Sequence, residues 1–151
     1  MNQTPLAERP GWIFGKDVMQ VKIHTDGGAR GNPGPAGAGF VIVDAQTGAM
    51  LHEAGIYLGE TTNNVAEYSA MLHGLRVADE LGAKCVELLS DSQLMVRQMT
   101  GQYRVKNEGL KPLHAEAKEL AAKFDKFKIT HVRREQNKLA DKLVNKAIDA
   151  R

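Results

Sequence analysis

The sequence has little of what would mark a secreted or membrane protein. Its single cysteine, Cys85, excludes an internal disulfide framework and a multi-cysteine zinc site. No apolar run approaches the ~20 residues that a membrane-spanning helix requires. The first residues include Pro5, Glu8 and Pro10 and contain no apolar segment of the secretory type. We therefore expect a protein without a secretory signal, located in the cytoplasm.

The sequence also lacks the glycine motifs that bind nucleotides. Residues 27–35 are dense in turn-forming residues, but they contain neither G-x-G-x-x-G nor G-x-x-x-x-G-K-[ST]. A strand pattern, not a helix, follows them. The segment is either a plain loop between two strands or a place where the backbone of Gly27 and Gly28 approaches a ligand closely.

Charge is nearly balanced overall and unevenly distributed. The net charge is +2, but residues 1–100 hold 7 Lys and Arg against 11 Asp and Glu, whereas residues 101–151 hold 13 against 7. Residues 101–151 therefore carry a net charge of +6. Such asymmetry suits binding of a polyanion, although solvated helix faces would give the same pattern.

The hydrophobic pattern predicts one α/β domain. Residues 1–17 lack periodicity and are predicted to form a poorly ordered extension. Within it, Trp12, Ile13 and Phe14 are candidates to pack on the domain. The domain itself is predicted to comprise residues 18–151. Strands are predicted at 19–26, 37–43, 50–58, 84–89 and 126–132, and helices at 61–82, 92–100, 113–124 and 137–150. The order βββαβααβα predicts a five-stranded mixed sheet, three antiparallel strands followed by parallel ones, with flanking helices.

Four acidic residues lie at the ends of these predicted elements. Asp26 and Asp91 end strands, Glu67 lies in the first turns of a helix, and Asp141 lies near the start of the last helix. Each alone is more typical of a turn or a cap. If they converge, their mutual repulsion requires a cation, and oxygen-only ligands favour Mg²⁺ or Mn²⁺. Two such ions form the clamp used in phosphodiester cleavage.

These residues belong to motifs that resemble those of type 1 ribonuclease H. Residues 26–37 (DGGARGNPGPAG) are similar to the first motif of that family, 62–68 (TNNVAEY) to the second, 91–93 (DSQ) to the third and 137–141 (NKLAD) to the last. The resemblance covers roughly residues 19–148. It implies a ribonuclease H fold and an enzyme that cleaves the RNA strand of RNA–DNA hybrids with two Mg²⁺ ions, for which Mn²⁺ can substitute. The products would carry 3′-hydroxyl and 5′-phosphate ends.

The resemblance also implies roles for individual residues. Asp26, Glu67, Asp91 and Asp141 would be the catalytic and metal-binding carboxylates. Asp26 and Asp91 would contact both metals, Glu67 would bind one metal and read the 2′-hydroxyl, and Asp141 would hold the metal nearer the attacking water. The substrate contacts implied are Gly27, Gly28, Asn32, Thr62, Asn63, Asn64 and Gln93. Amide side chains both donate and accept hydrogen bonds, which suits readout of a hybrid by its 2′-hydroxyls.

Two departures place the chain near the compact archaeal-like subgroup of the family. Residues 102–112 are too short for the basic protrusion of many bacterial members. The segment before Asp141 also lacks the glycine-containing loop that carries a catalytic histidine in many relatives. Arg134 stands nearest that position and is a candidate catalytic residue, whereas His131 falls in a predicted strand and is interpreted as structural.

Three functional hypotheses remain at this point. The first is a monomeric hybrid-cleaving endonuclease, with double-stranded RNA as a second substrate because some members of the subgroup cut it. The second is a catalytically silent module that binds hybrids or double-stranded RNA on the same fold. The third is a nuclease of the wider superfamily that acts on DNA structures. Four intact acids argue against the second, and Asn63, Asn64 and Gln93 argue against the third.

Overall fold

The computed structural model describes residues 18–151, so the predictions for residues 1–17 lie outside the described part of the chain. Five strands and four helices follow in the order βββαβααβα, as predicted. Their bounds are β1 Gln20–Ala29, β2 Gly34–Asp44, β3 Met50–Thr61, α1 Asn63–Glu80, β4 Cys85–Ser90, α2 Gln93–Met99, α3 Lys111–Ala121, β5 Lys126–His131 and α4 Lys138–Asp149, with a 3₁₀ turn at Arg134–Asn137 before α4.

The strands form one mixed sheet in the order β3-β2-β1-β4-β5. β1 pairs antiparallel with β2, and β2 pairs antiparallel with β3. β1 pairs parallel with β4, and β4 with β5. The predicted five-stranded mixed sheet is therefore confirmed. Because β1 and β4 are parallel neighbours, their carboxyl ends meet at one edge of the sheet.

Helix α1 covers the centre of one sheet face. Ile23 and Phe40 from the sheet and Leu75 from α1 are all buried and belong to the same core cluster. The helix begins where the Thr62 hydroxyl accepts a hydrogen bond from the Val65 N–H, which satisfies one of the free donors of the first turn. A glycine after the helix, Gly82, has φ of +88°, the left-handed conformation that commonly ends helices.

Helix α4 lies against the opposite face at unusually short range. A side chain at Gly39 would stand 2.5 Å from the Ala140 carbonyl oxygen, and one at Gly55 would stand 2.5 Å from the Leu143 carbonyl oxygen. The glycines of β2 and β3 therefore allow the backbone of α4 to rest directly on the sheet. This close approach holds the last helix, and Asp141 with it, over Gly39, which lies opposite Asp26 of the neighbouring strand β1.

The predicted bounds of the loop between β1 and β2 are wrong. The glycine-rich segment was expected to be a loop from Gly27 onward, but β1 continues to Ala29 and β2 begins at Gly34. The antiparallel ladder extends through Gly28↔Gly37 to Ala29↔Ala36, and the ladder outweighs the weak strand propensity of glycine. Within residues 18–151, no helix has both the length and the apolar character needed to cross a membrane.

Candidate active site

The two strand-end aspartates are brought together by the parallel pairing of β1 and β4. Thr25 lies opposite Ser90 in the register, so the residues that follow them, Asp26 and Asp91, are neighbours at the same edge of the sheet. Glu67 reaches this edge from the second turn of α1, because the α1 backbone at Ala66 and Glu67 packs directly on Gly27. Two strands and a helix thus converge on one point.

The carboxylates of Asp26, Glu67 and Asp91 form a tight cluster. One oxygen from each lies within 4.8 Å of the other two. Asp26 and Glu67 are buried, and the side chain of Asp91 is 12% exposed. Asp141, in the first turn of α4, lines the same cleft of about 360 Å³ and lies close enough to Asp26 to raise the pKa of that carboxyl. The structure therefore brings all four acids of the sequence prediction to one cleft.

Burial and crowding raise the pKa values of these acids. The pKa of Asp26 is raised to about 8, first by burial, then by the charge of Asp91 and by the hydrogen bond and charge of Asp141. Burial and the charges of Asp26 and Asp91 raise the pKa of Glu67 well above its ordinary value. The pKa of Asp91 is also raised by burial, against the opposing charge of Arg134. The cluster thus holds more negative charge than its surroundings neutralise.

These residues fit divalent cations with oxygen ligands. All the donors are carboxylate oxygens, which Mg²⁺ and Mn²⁺ prefer. Moreover, Glu67 Oε1 is buried without a hydrogen-bond partner among the described residues. A buried, unpaired carboxylate oxygen is costly in the absence of a ligand. A cation in the cleft would both satisfy that oxygen and offset the repulsion among the acids.

Gly27 and Gly28, predicted together as substrate contacts, differ in the structure. A side chain at Gly27 would lie 2.2 Å from the Ala66 carbonyl carbon, so the space is filled by α1. A side chain at Gly28 would meet nothing nearer than Val144 Cγ1 at 4.0 Å. Both glycines line the cleft. The absence of a side chain at Gly27 is thus required for packing of α1, and only Gly28 leaves open space in the cleft.

Of the four predicted amide contacts, Asn63 lines the cleft, and its backbone is hydrogen-bonded to the side chain of Asn32. Asn32 Oδ1 accepts a hydrogen bond from the Asn63 N–H at 3.1 Å, and Asn63 Oδ1 accepts one from the Ala29 N–H at 2.7 Å. This pair joins the β1–β2 loop to the start of α1. Asn64 follows in the first turn of α1 and is exposed, as is Gln93 at the start of α2. Thr62 is held as the N-cap of α1.

Arg134 stands over the cluster from the segment before α4. Its Nε atom lies 3.9 Å from Asp91 Oδ2, and its side chain is 86% exposed. The guanidinium is thus attracted to the acids while remaining free to move. His131 lies in a strand as predicted, where it is the last residue of β5, and its structural role stays a prediction. It is exposed and lines a depression that it shares with Glu67, Asp91 and Arg134.

The sequence reasoning missed the wall that α4 contributes to the cleft. Asn145 lies one turn after Asp141 and also lines the cleft, a placement that the i, i+4 spacing of a helix could have revealed. Arg30 forms an ion pair with Asp149 at 2.6 Å and reaches the Asn145 side chain. No local signal predicts that pair, because 119 residues separate its partners.

The chain matches a known family over most of its length. The family described as reverse transcriptase-like matches residues 24–147. A bifunctional protein of Mycobacterium tuberculosis is 45% identical over 132 residues, 87% of this chain and 36% of that protein. A ribonuclease HI of Halobacterium salinarum is 42% identical over 130 residues, 86% of this chain and 65% of that protein. The chain thus spans little more than a third of the mycobacterial relatives.

A solved structure is similar to this chain in fold as well as in sequence. The crystal structure of LC11-RNase H1 in complex with an RNA/DNA hybrid superimposes with a TM-score of 0.81 at 47% identity, covering 87% of this chain and 98% of that one. Both the whole domain and its sequence are therefore similar to a protein that binds such a hybrid.

Proposed function

The chain belongs to the type 1 ribonuclease H family, and on this basis we propose that it hydrolyses the RNA strand of RNA–DNA hybrids with two divalent metal ions. The observation that carries the proposal is the cluster of Asp26, Glu67 and Asp91, whose oxygens lie within 4.8 Å of one another beside Asp141. A module that only binds nucleic acid gains nothing from gathering like charges in this way.

The four carboxylates would hold the metals. Asp26 and Asp91 would help to hold both ions, Glu67 would hold one of them and face the 2′-hydroxyl, and Asp141 would hold the other. Mg²⁺ bound here supplies a nucleophilic water and stabilises charge on the phosphate, and Mn²⁺ serves as a substitute. The rigid strands behind Asp26 and Asp91 keep their carboxylates in position without reorganisation during the reaction. The products carry 3′-hydroxyl and 5′-phosphate ends.

The amide side chains of Asn32, Asn63, Asn64 and Gln93 would read the substrate. Asn32 Oδ1 accepts from the Asn63 N–H and Asn63 Oδ1 accepts from the Ala29 N–H, so each amide group is held in a defined direction and presents its Nδ2 donor. Asn64 and Gln93 are exposed at the starts of α1 and α2. Hybrids are recognised by shape and by 2′-hydroxyls, and these groups suit that contact. Thr62 contributes a hydroxyl beside a DNA phosphate. Double-stranded RNA shares the 2′-hydroxyls and is a second substrate.

We further propose that the protein acts as a monomer in the cytoplasm. The substrate is a nucleic acid and not a membrane component, and the four acids of the cleft all come from one chain. Cys85 is buried and free, which suits a reducing compartment.

A cleavage assay with four labelled duplexes tests the function. The protein with Mg²⁺ is incubated with RNA–DNA, RNA–RNA, DNA–DNA and a DNA duplex that contains one ribonucleotide. We expect cleavage of the hybrid, fragments that a ligase joins without prior treatment, and slower cleavage of RNA–RNA. Binding without cleavage in Mg²⁺ or Mn²⁺ would instead favour the silent module, and cleavage of DNA–DNA would favour a DNA-structure nuclease.

Divalent metal is expected to raise the melting temperature, and replacement of Asp26 by Asn is expected to reduce that rise. A ligand at 100 times its dissociation constant stabilises the folded state by ~2.7 kcal/mol. Asn removes a charged ligand from the centre of the cluster. In a chelator, D26N should melt near the wild-type temperature, because the raised pKa of Asp26, about 8, leaves the metal-free carboxyl largely neutral at pH 7, as Asn is.

The measurement is a pair of thermal melts across a Mg²⁺ titration, with Asp125→Asn as the control. Asp125 is exposed and precedes β5, away from the carboxyl ends of β1 and β4. The control should respond to metal as the wild type does. Equal metal responses in all three proteins would remove Asp26 from the metal site.

Replacement of Arg134 by Ala is expected to lower turnover more than stability. Its guanidinium lies near Asp91 and is largely exposed, so it holds little of the fold together and is free to contact a phosphate. A well-placed donor contributes up to ~10²–10³ in turnover, and we expect a loss of at least about tenfold. Steady-state kinetics and thermal melts measure the two effects.

Two further variants test whether the effect is specific to the guanidinium of Arg134. Arg134→Lys should recover only part of the turnover, because lysine keeps the charge and loses the planar donor fork. Arg133→Ala is the matched control at the adjacent exposed arginine and should change turnover less. Wild-type turnover in Arg134→Ala across pH 6–9 would show that this arginine has no part in the reaction.

A further inference from the structure

The cleft that holds the acids continues past them between β1 and α4. Beyond Asp26 its floor is Gly28, where a side chain would meet nothing nearer than Val144 Cγ1 at 4.0 Å. Ile148 of α4 and Arg30, which follows the last residue of β1, also line the cleft. We call the part that is lined by Gly28, Arg30, Val144 and Ile148 the β1–α4 arm. It offers room for a part of the substrate other than the reacting phosphate.

Two independent spans place Arg30 at the end of the β1–α4 arm. Arg30 follows Asp26 by four residues, and four residues of extended chain span ~13 Å. Its ion-pair partner Asp149 ends α4 and follows Asp141 by eight residues, which span ~12 Å of helix. Because the two spans agree, the ion pair of Arg30 and Asp149 lies roughly 12–13 Å along the cleft from the acids.

Arg30 gives this end of the cleft a positive charge. Among the described residues that line the cleft, the basic ones are Arg30 and Arg134, and Arg134 lies beside Asp91 in the acidic cluster. The β1–α4 arm therefore carries a cation that is separate from the acids. Phosphates of one strand advance ~3.4 Å each along the axis of duplex DNA, so a strand that lies in the cleft brings another phosphate to Arg30 within about four nucleotides of the acids.

Contacts with α4 set the position of the Arg30 guanidinium. Its Nη1 donates to Asp149 Oδ1 at 2.6 Å, and its Nη2 donates to the side-chain and main-chain oxygens of Asn145 at 3.4 and 3.5 Å. Asn145 Nδ2 in turn donates to the Asp141 carbonyl oxygen at 3.2 Å. The helix that carries Asp141 thus also fixes where the guanidinium lies relative to the acids.

The ion pair leaves Arg30 able to bind a phosphate. A guanidinium has five N–H donors, and the contacts with Asp149 and Asn145 use at most three of them. The Arg30 side chain is 44% exposed and that of Asp149 is 67% exposed, and ion pairs at such exposure contribute little to stability. The remaining donors suit a phosphate, to which arginine frequently binds through two parallel hydrogen bonds.

We propose that Arg30 binds a backbone phosphate of the strand that lies in the cleft, within about four nucleotides of the phosphate held at the acids. Asp149 shares the guanidinium with that phosphate and is not required for the contact. The proposal rests on the proposed function, since it takes an RNA–DNA hybrid as the ligand and its RNA strand as the strand in the cleft. Arg30 thereby adds to the affinity for the hybrid and takes no part in the cleavage step.

Equilibrium binding of a fluorescently labelled RNA–DNA hybrid in a chelator tests the proposal without cleavage. Arg30→Ala is expected to raise Kd about tenfold, the effect of one lost charge-assisted contact with a phosphate. It should also reduce the dependence of log Kd on log salt concentration by about one unit, because one phosphate fewer is neutralised. In Mg²⁺, the same variant should raise KM for the hybrid more than it lowers kcat.

Asp149→Asn separates phosphate binding from the structural role of the ion pair. Arg30→Ala and Asp149→Asn both remove the ion pair, so thermal melts should show equal small losses of stability. Only Arg30→Ala removes the guanidinium, whereas Asp149→Asn removes a negative charge and should bind the hybrid at least as tightly as the wild type does. Arg76→Ala is the matched control, since Arg76 is 43% exposed, forms an ion pair with Glu116 and does not line the cleft. It should leave Kd and the salt dependence unchanged.

Three results would overturn the assignment of Arg30. The first is a wild-type Kd and salt dependence in Arg30→Ala. The second is an equal loss of affinity in Arg30→Ala and Asp149→Asn, which would reduce the role of Arg30 to its ion pair. The third is an equal loss in Arg30→Ala and Arg76→Ala, which would show a general effect of charge.

The same measurements distinguish this assignment from the proposed function. A protein that binds the hybrid through Arg30 but does not cleave it in Mg²⁺ would contradict only the nuclease activity. Cleavage of the hybrid with an unchanged Kd and KM in Arg30→Ala would contradict only the role of Arg30. A wild type that neither binds nor cleaves the hybrid would contradict both.

Discussion

Replacement of Asp26 by Asn is expected to reduce hydrolysis of the RNA–DNA hybrid by at least about a thousandfold, which corresponds to ~4 kcal/mol of lost transition-state stabilisation. Asp26 stands at the centre of the cluster, within reach of Glu67, Asp91 and Asp141. Asn has nearly the same shape but no charge, so it weakens metal binding at the position where two ions are proposed to meet.

The measurement is single-turnover cleavage with saturating metal, accompanied by a thermal melt. Because Asn has nearly the same shape as Asp and carries no charge into a buried cluster, the variant should stay folded, and the lost activity then reports on metal binding and chemistry. Asp125→Asn, on an exposed aspartate away from the cleft, should cleave at the wild-type rate. A folded D26N protein that retains more than about a tenth of the activity would contradict the assignment of Asp26 as a metal ligand.

Replacement of Gly27 by Ala is expected to have the largest effect on folding. The new methyl group would stand 2.2 Å from the Ala66 carbonyl carbon and 2.4 Å from the Glu67 nitrogen, both of them backbone atoms of α1. Backbone in a helix cannot move aside as a side chain does, so α1 must shift away from β1. Overpacking costs typically 1–3 kcal/mol and occasionally more, and we expect ~3 kcal/mol or more here. Thermal and urea denaturation measure the loss.

The adjacent glycine provides the matched control. Gly28→Ala places the same methyl group no nearer than 4.0 Å from Val144 Cγ1 and should leave the free energy of unfolding nearly unchanged. If the Gly28 backbone approaches the substrate as proposed, this variant should instead raise KM for the hybrid. Equal loss of stability in both variants would show that α1 does not rest on Gly27 as closely as the structure indicates.

The two glycines illustrate what a motif conveys and what it leaves out. The sequence predicts the same role for Gly27 and Gly28, contact with the substrate, because both lie in a segment whose backbone can approach a ligand closely. Only the packing of α1 separates them, because the contact between Gly27 and Ala66 joins residues nearly 40 positions apart. His131 is a second example of a residue whose surroundings the local sequence pattern does not predict. Its strand position follows from the local pattern, whereas its exposure beside Asp91 depends on which neighbours the fold supplies.

The sequence by itself determined the order of the elements and the identity of the four acids. Period-two and helical spacing are local properties, so they predicted βββαβααβα and a mixed sheet, which the structure confirms. The motifs around Asp26, Glu67, Asp91 and Asp141 identified the family without reference to coordinates. Oxygen-only chemistry at these positions was likewise sufficient to predict a divalent metal.

The tertiary structure alone decided that the acids converge and how strongly they perturb one another. Convergence depends on the parallel pairing of β1 with β4 and on α1 and α4 lying on opposite faces of the sheet. Burial then raises the pKa of Asp26 to about 8, and Glu67 Oε1 has no hydrogen-bond partner within residues 18–151. Neither property is contained in a pattern of residue types. Desolvation and long-range contact are properties of the folded chain, because both require residues distant in sequence to exclude water from the same point.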